Sequence, residues 1–98
     1  MLTKHNVRMM ESYEISKICE GLAHPIRQRI YEILLEKRKA KASELFNILK
    51  DEFNLSSRQS IHNHLSVMEK AGIIETEKIK NEVHVKLKMK VEIVAKPL

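Results

Sequence analysis

After Gly72 the spacing of apolar residues changes from helical to alternating, and this one switch limits the possible folds more than any other feature of the chain. In VHVKLKMKVEI, residues 83–93, Val83, Val85, Leu87, Met89, Val91 and Ile93 alternate with His84, Lys86, Lys88, Lys90 and Glu92. A period of two places each set on one face, so the segment reads as a half-buried strand. IIETEKIK, residues 73–80, reads as its antiparallel partner, with the turn around Lys80, Asn81 and Glu82. A hairpin with one apolar face is marginal alone, so the residues before it must supply a cover.

Those residues read as helices. Ile15, Ile18, Cys19 and Leu22 fall at helical spacing in ESYEISKICEGLA, on an amphipathic helix expected to begin near Met9. In HPIRQRIYEILLEKRK, Pro25 suits a first helical position, where no amide donor is needed, and His24 sits where a cap would. Ile26, Ile30, Ile33 and Leu34 form its apolar stripe. KRKAKA, residues 37–42, reads as a basic extended connector. SELFNILKDEF opens with Ser43 as the expected N-cap and Glu44 in the first turn, and turns Leu45, Ile48 and Leu49 inward. NLSS breaks the pattern, and Ser56 followed three residues later by Gln59 has the form of a capping box. The last helix runs to Ala71 and stops at Gly72, the usual residue for a left-handed helix end.

Four helices followed by a hairpin define a mainly α fold with a β-hairpin wing, a winged helix-turn-helix of order α-α-α-α-β-β. With 98 residues the chain is long enough for one domain. The expected division is an N-terminal dimerisation helix within 1–23, a helical core over 25–72 with the recognition helix at 57–71, and the wing at 73–91.

The recognition helix carries the functional signal. SSRQSIHNHL, residues 56–65, contains no acid, and only Ile61 and Leu65 are apolar. With about 100° per residue, Ile61, Leu65 and Met68 share one face, while Gln59, Asn63, Ser66 and Lys70 lie opposite, flanked by Ser60 and His62. His64 falls roughly 60° from the core centre and is expected to pack against the scaffold. An outer face of amides and hydroxyls without carboxylates suits the DNA major groove, where phosphates repel acids and base edges meet amide, guanidinium and hydroxyl groups. The candidate base readers are Arg58, Gln59, Ser60, His62, Asn63 and Ser66. Asn63 is favoured over Gln59, whose amide a capping box would engage. The candidate phosphate or wing contacts are Lys39, Lys41, Ser43, Ser57, Lys78, Lys80, Asn81, His84 and Lys86. A net charge of +5 and a pI of about 9.4 fit a polyanionic partner, double-stranded DNA.

Other classes fit poorly. The sequence has no nucleophile–base pair, paired acid site or glycine-rich phosphate loop, with only 2 glycines, so an enzyme is not expected and no cofactor is implied. His62 and His64 diverge by about 200° on a helix and cannot easily share a metal ion. No small-molecule effector is evident. One cysteine, no signal peptide and no membrane span fit a reducing, cytoplasmic home. The stripe of Ile15, Ile18, Cys19 and Leu22 is larger than so small a core can use, which implies a homodimer and a palindromic site. The competing reading is a winged-helix adaptor in a transcription or nucleoprotein assembly, with the recognition face meeting protein.

GLAHPIRQRIYEILLE resembles the second helix of the ArsR-type winged-helix regulators, and SSRQSIHNHLSVMEKAGII resembles their recognition helix, with its His-Leu pair at His64 and Leu65 and its EKAGII exit into the wing. The resemblance covers roughly residues 15–90. It implies a DNA-binding transcriptional repressor that works as a homodimer through N- and C-terminal elements. This chain departs from the family twice. SELFNILK lacks the metal-sensing cysteines, and MKVEIVAKPL reads as extended where the family has a last helix, so the resemblance is to a member that does not sense metal. The abundance of Ile, Lys and Glu points towards a thermophilic source, and the resemblance is to archaeal or archaeal-viral members of the family.

Overall fold

The computed structural model describes residues 12–90. The expected helix start near Met9 and the continuation of the last strand through Val91 and Ile93 lie outside the described residues. The elements are α1 (Ser12–Gly21), α2 (Pro25–Lys37), β1 (Lys39–Lys41), α3 (Ala42–Phe53), α4 (Arg58–Lys70), β2 (Ile74–Ile79) and β3 (Glu82–Leu87).

The helices and the hairpin fall where the periodicity puts them. The connector does not. Residues 39–41 form a strand that pairs antiparallel with β3, Ala40 opposite Val85, and the sheet order is β1-β3-β2. Ala40 and Val85 are both buried, so one small apolar residue between two lysines is enough to seat a third strand.

Helix boundaries explain two further differences. His24 caps α2 as expected, its Nδ1 accepting the Ile26 amide at 3.1 Å. At α3, however, the strand holds Lys41 extended (φ −85°, ψ 150°), so Lys41 takes the cap position and Ser43 is already inside the helix. The carboxylate of Glu44 reaches back to accept the Lys41 amide at 3.1 Å. At α4 the cap is Ser57, not Ser56, and no side chain bonds to the first amides. The Ser56–Gln59 capping box does not form. Gln59 turns along the helix instead, towards Asn63.

The end of α4 follows the sequence reading. Gly72 has φ +79°, and the Ile73 amide returns to the Met68 carbonyl at 3.1 Å. The wing turn puts Lys80 (φ 51°) and Asn81 (φ 69°) in the left-handed region, the geometry of a two-residue hairpin turn. A left-handed Asn54 ends α3.

One core lies between the helices and the inner face of the sheet. Ile26, Ile30, Ile33 and Leu34 come from α2, Leu45 and Leu49 from α3, and Ile61, Leu65 and Met68 from α4. Ile73, Ile74 and Val85 close it from the sheet side. Ile48, expected to face inward, only packs against its edge. The helix α1 packs on α4, where Gly21 is buried against Ala71 and Ile73.

Candidate nucleic-acid interface

Burial of Ile61, Leu65 and Met68 fixes the rotation of α4 about its axis. Arg58, Gln59, His62, Asn63 and Ser66 are consequently exposed on one outer face. Ser60 is half-buried and its hydroxyl donates to the Ser57 carbonyl at 2.8 Å, so its only donor is committed within the helix. Gln59 Nε2 donates to Asn63 Oδ1 at 3.1 Å, joining two candidate base readers into a pair. The guanidinium of Arg58 lies over the Phe46 ring, 5.6 Å from its centroid, which holds this cation beside the helix start.

A cleft of about 200 Å³ runs between the N-terminal ends of α3 and α4 and the wing tip, lined among others by Ser43, Phe46, Arg58, His62, Asn81 and Glu82. It brings together four of the sequence candidates, Ser43, Arg58, His62 and Asn81, from three separate elements.

The remaining wing candidates divide between two faces. Lys78 is opposite Val83 and shares the inner face with Thr76 and Val85. Lys80 and Asn81 form the tip. Both lysines, like Arg58, make no ion pair among the described residues. Lys39, His84 and Lys86 instead face the outer side of the sheet, where they line a shallow groove with Glu75 and Glu77. Lys86 is tied to Glu75 at 3.0 Å, and Lys41 to Glu82 at 3.1 Å. The Glu75 carboxylate, as hydrogen-bond acceptor and as neighbouring charge, raises the Lys86 pKa above its ordinary value. The outer sheet face is therefore partly neutralised, while the inner face and the tip of the wing keep free cations.

Sequence reasoning missed the residues that hold these parts in place. Glu69, in the last turn of α4, accepts both the Thr76 amide at 3.1 Å and the Thr76 hydroxyl at 2.7 Å, fastening the recognition helix to β2. The available signal was an acid late on a helix otherwise free of them. Arg29 grips the Glu52 carboxylate through Nε and a terminal nitrogen, at 2.9 and 3.1 Å, linking α2 to α3, and this partner raises its pKa. His64 is half-buried against His24, with ring centroids 4.5 Å apart, as expected of a scaffold residue. Burial lowers its pKa, and the neighbouring His24 and Arg27 lower it further. Among the described residues no three His, Cys, Asp or Glu side chains converge on a possible metal position, and no helix is long and apolar enough to cross a membrane.

A four-helix scaffold, an exposed polar helix and a hairpin beside it define the winged helix-turn-helix class of DNA-binding regulators, which are not enzymes. The chain belongs to the helix-turn-helix domain family, whose model matches residues 22–77. The fold is similar to that of HlyU from Vibrio cholerae N16961, with a TM-score of 0.68 and 22% identity over 82% of this chain and 83% of that one. It is equally similar to an ArsR family transcriptional regulator, with a TM-score of 0.68 and 22% identity over 82% and 76%. A transcriptional regulator homologue from Pyrococcus horikoshii OT3 aligns with a TM-score of 0.59 and 25% identity over 76% and 75%. No curated protein matches the sequence.

Proposed function

We propose that this protein is a sequence-specific regulator of transcription that acts in the cytoplasm and represses by occupying a palindromic site in double-stranded DNA as a homodimer. The observation that carries this reading is the outer face of α4, where Gln59, His62, Asn63 and Ser66 stand exposed beside a cleft shared with the wing tip. Amide and hydroxyl groups on the outer face of a helix whose first ten residues carry no acid match the donors and acceptors of the major groove. Asn63 is the principal base reader and pairs with adenine. Arg58, Ser43, Lys78, Lys80 and Asn81 meet phosphates, which position the helix without carrying base identity. Repression is the role carried by regulators of the ArsR type, which the chain resembles.

The dimer reading is supported by α1. Ile15 is 50% exposed, Cys19 is exposed, and Ile18 and Leu22 are half-buried, leaving an apolar stripe that the protomer does not cover. On this reading the dimerisation helix falls within residues 1–23, the core spans 25–72 and the wing 73–91. A protein-binding adaptor would need an apolar patch on α4, and the exposed residues of that face are polar.

Selection of bound sites from a random DNA pool, followed by binding of Asn63→Ala to the selected duplex, tests the reading. The substitution should cost about 1–3 kcal/mol per half-site on the selected duplex and much less on random DNA at the same salt concentration. Recovery of no preferred sequence, or an equal loss on both duplexes, would refute it.

A further inference from the structure

We infer that Gln59 is a positioning residue that sets the polarity of Asn63, so that the two amides read DNA as one unit with a fixed direction. This deepens the DNA-binding reading and rests on it. An asparagine amide turned over by 180° exchanges its oxygen and its nitrogen with almost no change in shape. An exposed Asn63 alone could offer a donor or an acceptor at the same point in space, which is poor discrimination. Here Gln59 Nε2 donates to Asn63 Oδ1 at 3.1 Å, one helical turn away. Turning Asn63 over would set two NH₂ groups against each other.

The direction of the pair has its own cause. Ser57 places no side chain on the first amides of α4, so the positive end of the helix stays open beside the Arg58 cation. That field draws the carboxamide oxygens towards the N-terminus. In the observed bond Gln59 gives its nitrogen to the residue that follows it, and Asn63 turns its oxygen back towards the helix start. Both amide dipoles therefore oppose the helix dipole, the favourable sense. Gln59 keeps Oε1 as an acceptor near the helix start, and Asn63 keeps Nδ2 as a donor towards the next turn.

A base facing Asn63 Nδ2 must present an acceptor. Guanine does so with N7 and O6, and adenine with N7, whereas cytosine presents only its N4 amino donor there. Gln59 thus determines which bases Asn63 accepts without having to touch that base itself.

Gln59→Glu tests this directly, because a carboxylate can only accept. It should take the Asn63 Nδ2 donor and turn the amide over, leaving Oδ1 to face the base. Binding is measured on duplexes that carry guanine or cytosine at the position where Asn63→Ala loses discrimination, at one salt concentration. The guanine-over-cytosine ratio should shift by roughly tenfold towards cytosine, within the range of one base-edge contact. The added negative charge lowers affinity for both duplexes, and because a carboxylate can itself accept from cytosine N4, the shift counts for the positioning role only together with the Gln59→Met result. Gln59→Met, similar in length but without an amide, should flatten the ratio and shift the Asn63 side-chain amide resonances of the free protein. An unchanged ratio in Gln59→Glu, or unchanged Asn63 resonances in Gln59→Met, overturns the positioning role while the DNA-binding reading stands. If Asn63→Ala loses discrimination at no position, both are overturned.

Discussion

Replacing Gly21 by alanine should destabilise the protein, although helix propensity alone argues the opposite. Gly21 closes α1 in an ordinary helical conformation, so an alanine there removes a flexible residue and should gain about 0.5–1 kcal/mol. The seat of the helix reverses the sign. A Cβ added at Gly21 would stand 2.5 Å from Ile73 Cδ1 and 2.8 Å from Ala71 Cβ, where carbon atoms prefer about 3.5–4.0 Å. Ala71 Cβ moves only with the backbone at the end of the recognition helix. Ile73 has no exposed surface into which its side chain could swing. Overpacking of this kind costs about 1–3 kcal/mol, which leaves a net loss of about 1 kcal/mol. For a domain of this size that lowers Tm by about 4–8 °C. Thermal unfolding followed by circular dichroism, at one protomer concentration, measures it, with Glu20→Ala as the exposed control on the same helix. The strain can also be relieved by α1 lifting from α4, and self-association through the Ile15 stripe should then weaken in sedimentation. A Gly21→Ala protein that melts at or above the parent temperature would refute the close seat of α1.

Three further outcomes are expected. Lys80→Ala, at the wing tip, should weaken binding to all duplexes alike and reduce the salt slope by about one unit per protomer contact; a changed sequence preference would make the wing a base reader. Ile15→Glu should convert a sedimenting dimer into monomer with the helical signal intact, since a carboxylate in the apolar stripe resists burial; a persistent dimer would move the interface away from α1. The lowered pKa of His64 means that the folded state holds its proton less well than the unfolded chain. The associated stability is present above the unfolded value of about 6.5 and is lost as pH falls through it towards the folded pKa. Tm should therefore drop between pH 7.5 and pH 5, and His64→Gln should shrink that drop; an equal drop in both proteins would assign it to other groups.

The recognition helix and the hairpin were legible because each repeats one period long enough to be counted. Ile61, Leu65 and Met68 fix one face, and Val83, Val85 and Leu87 the other kind of spacing. The strand β1 was not legible, since three residues cannot establish a period and two of them are lysines that read equally well as a soluble linker. The error at Ser43 follows from the same cause, because the strand carries the chain straight into the helix and moves the cap to Lys41. The Ser56–Gln59 box failed for a different reason. Local pattern reported a side chain able to cap, but the helix starts one residue later, at Arg58 with Ser57 as its cap, so Gln59 stands second in the helix and not third. The division of the wing cations between an inner face, a tip and a neutralised outer face needed the strand register, which sequence spacing does not contain.

The pairing of Ala40 with Val85 joins positions about 45 residues apart and encloses both α3 and α4 within one closed loop. The entropy of that closure has to be overcome before the central strand has both neighbours, so the sheet should be completed late, on helices already in place. The wing is consequently not a detachable module. A hairpin transplanted from a relative as residues 73–88 alone would arrive without the edge strand that holds it, and its new central strand would meet a foreign Lys39–Lys41. Exchange of DNA-contacting wings within this architecture, whether by recombination or by design, requires two distant segments to change together.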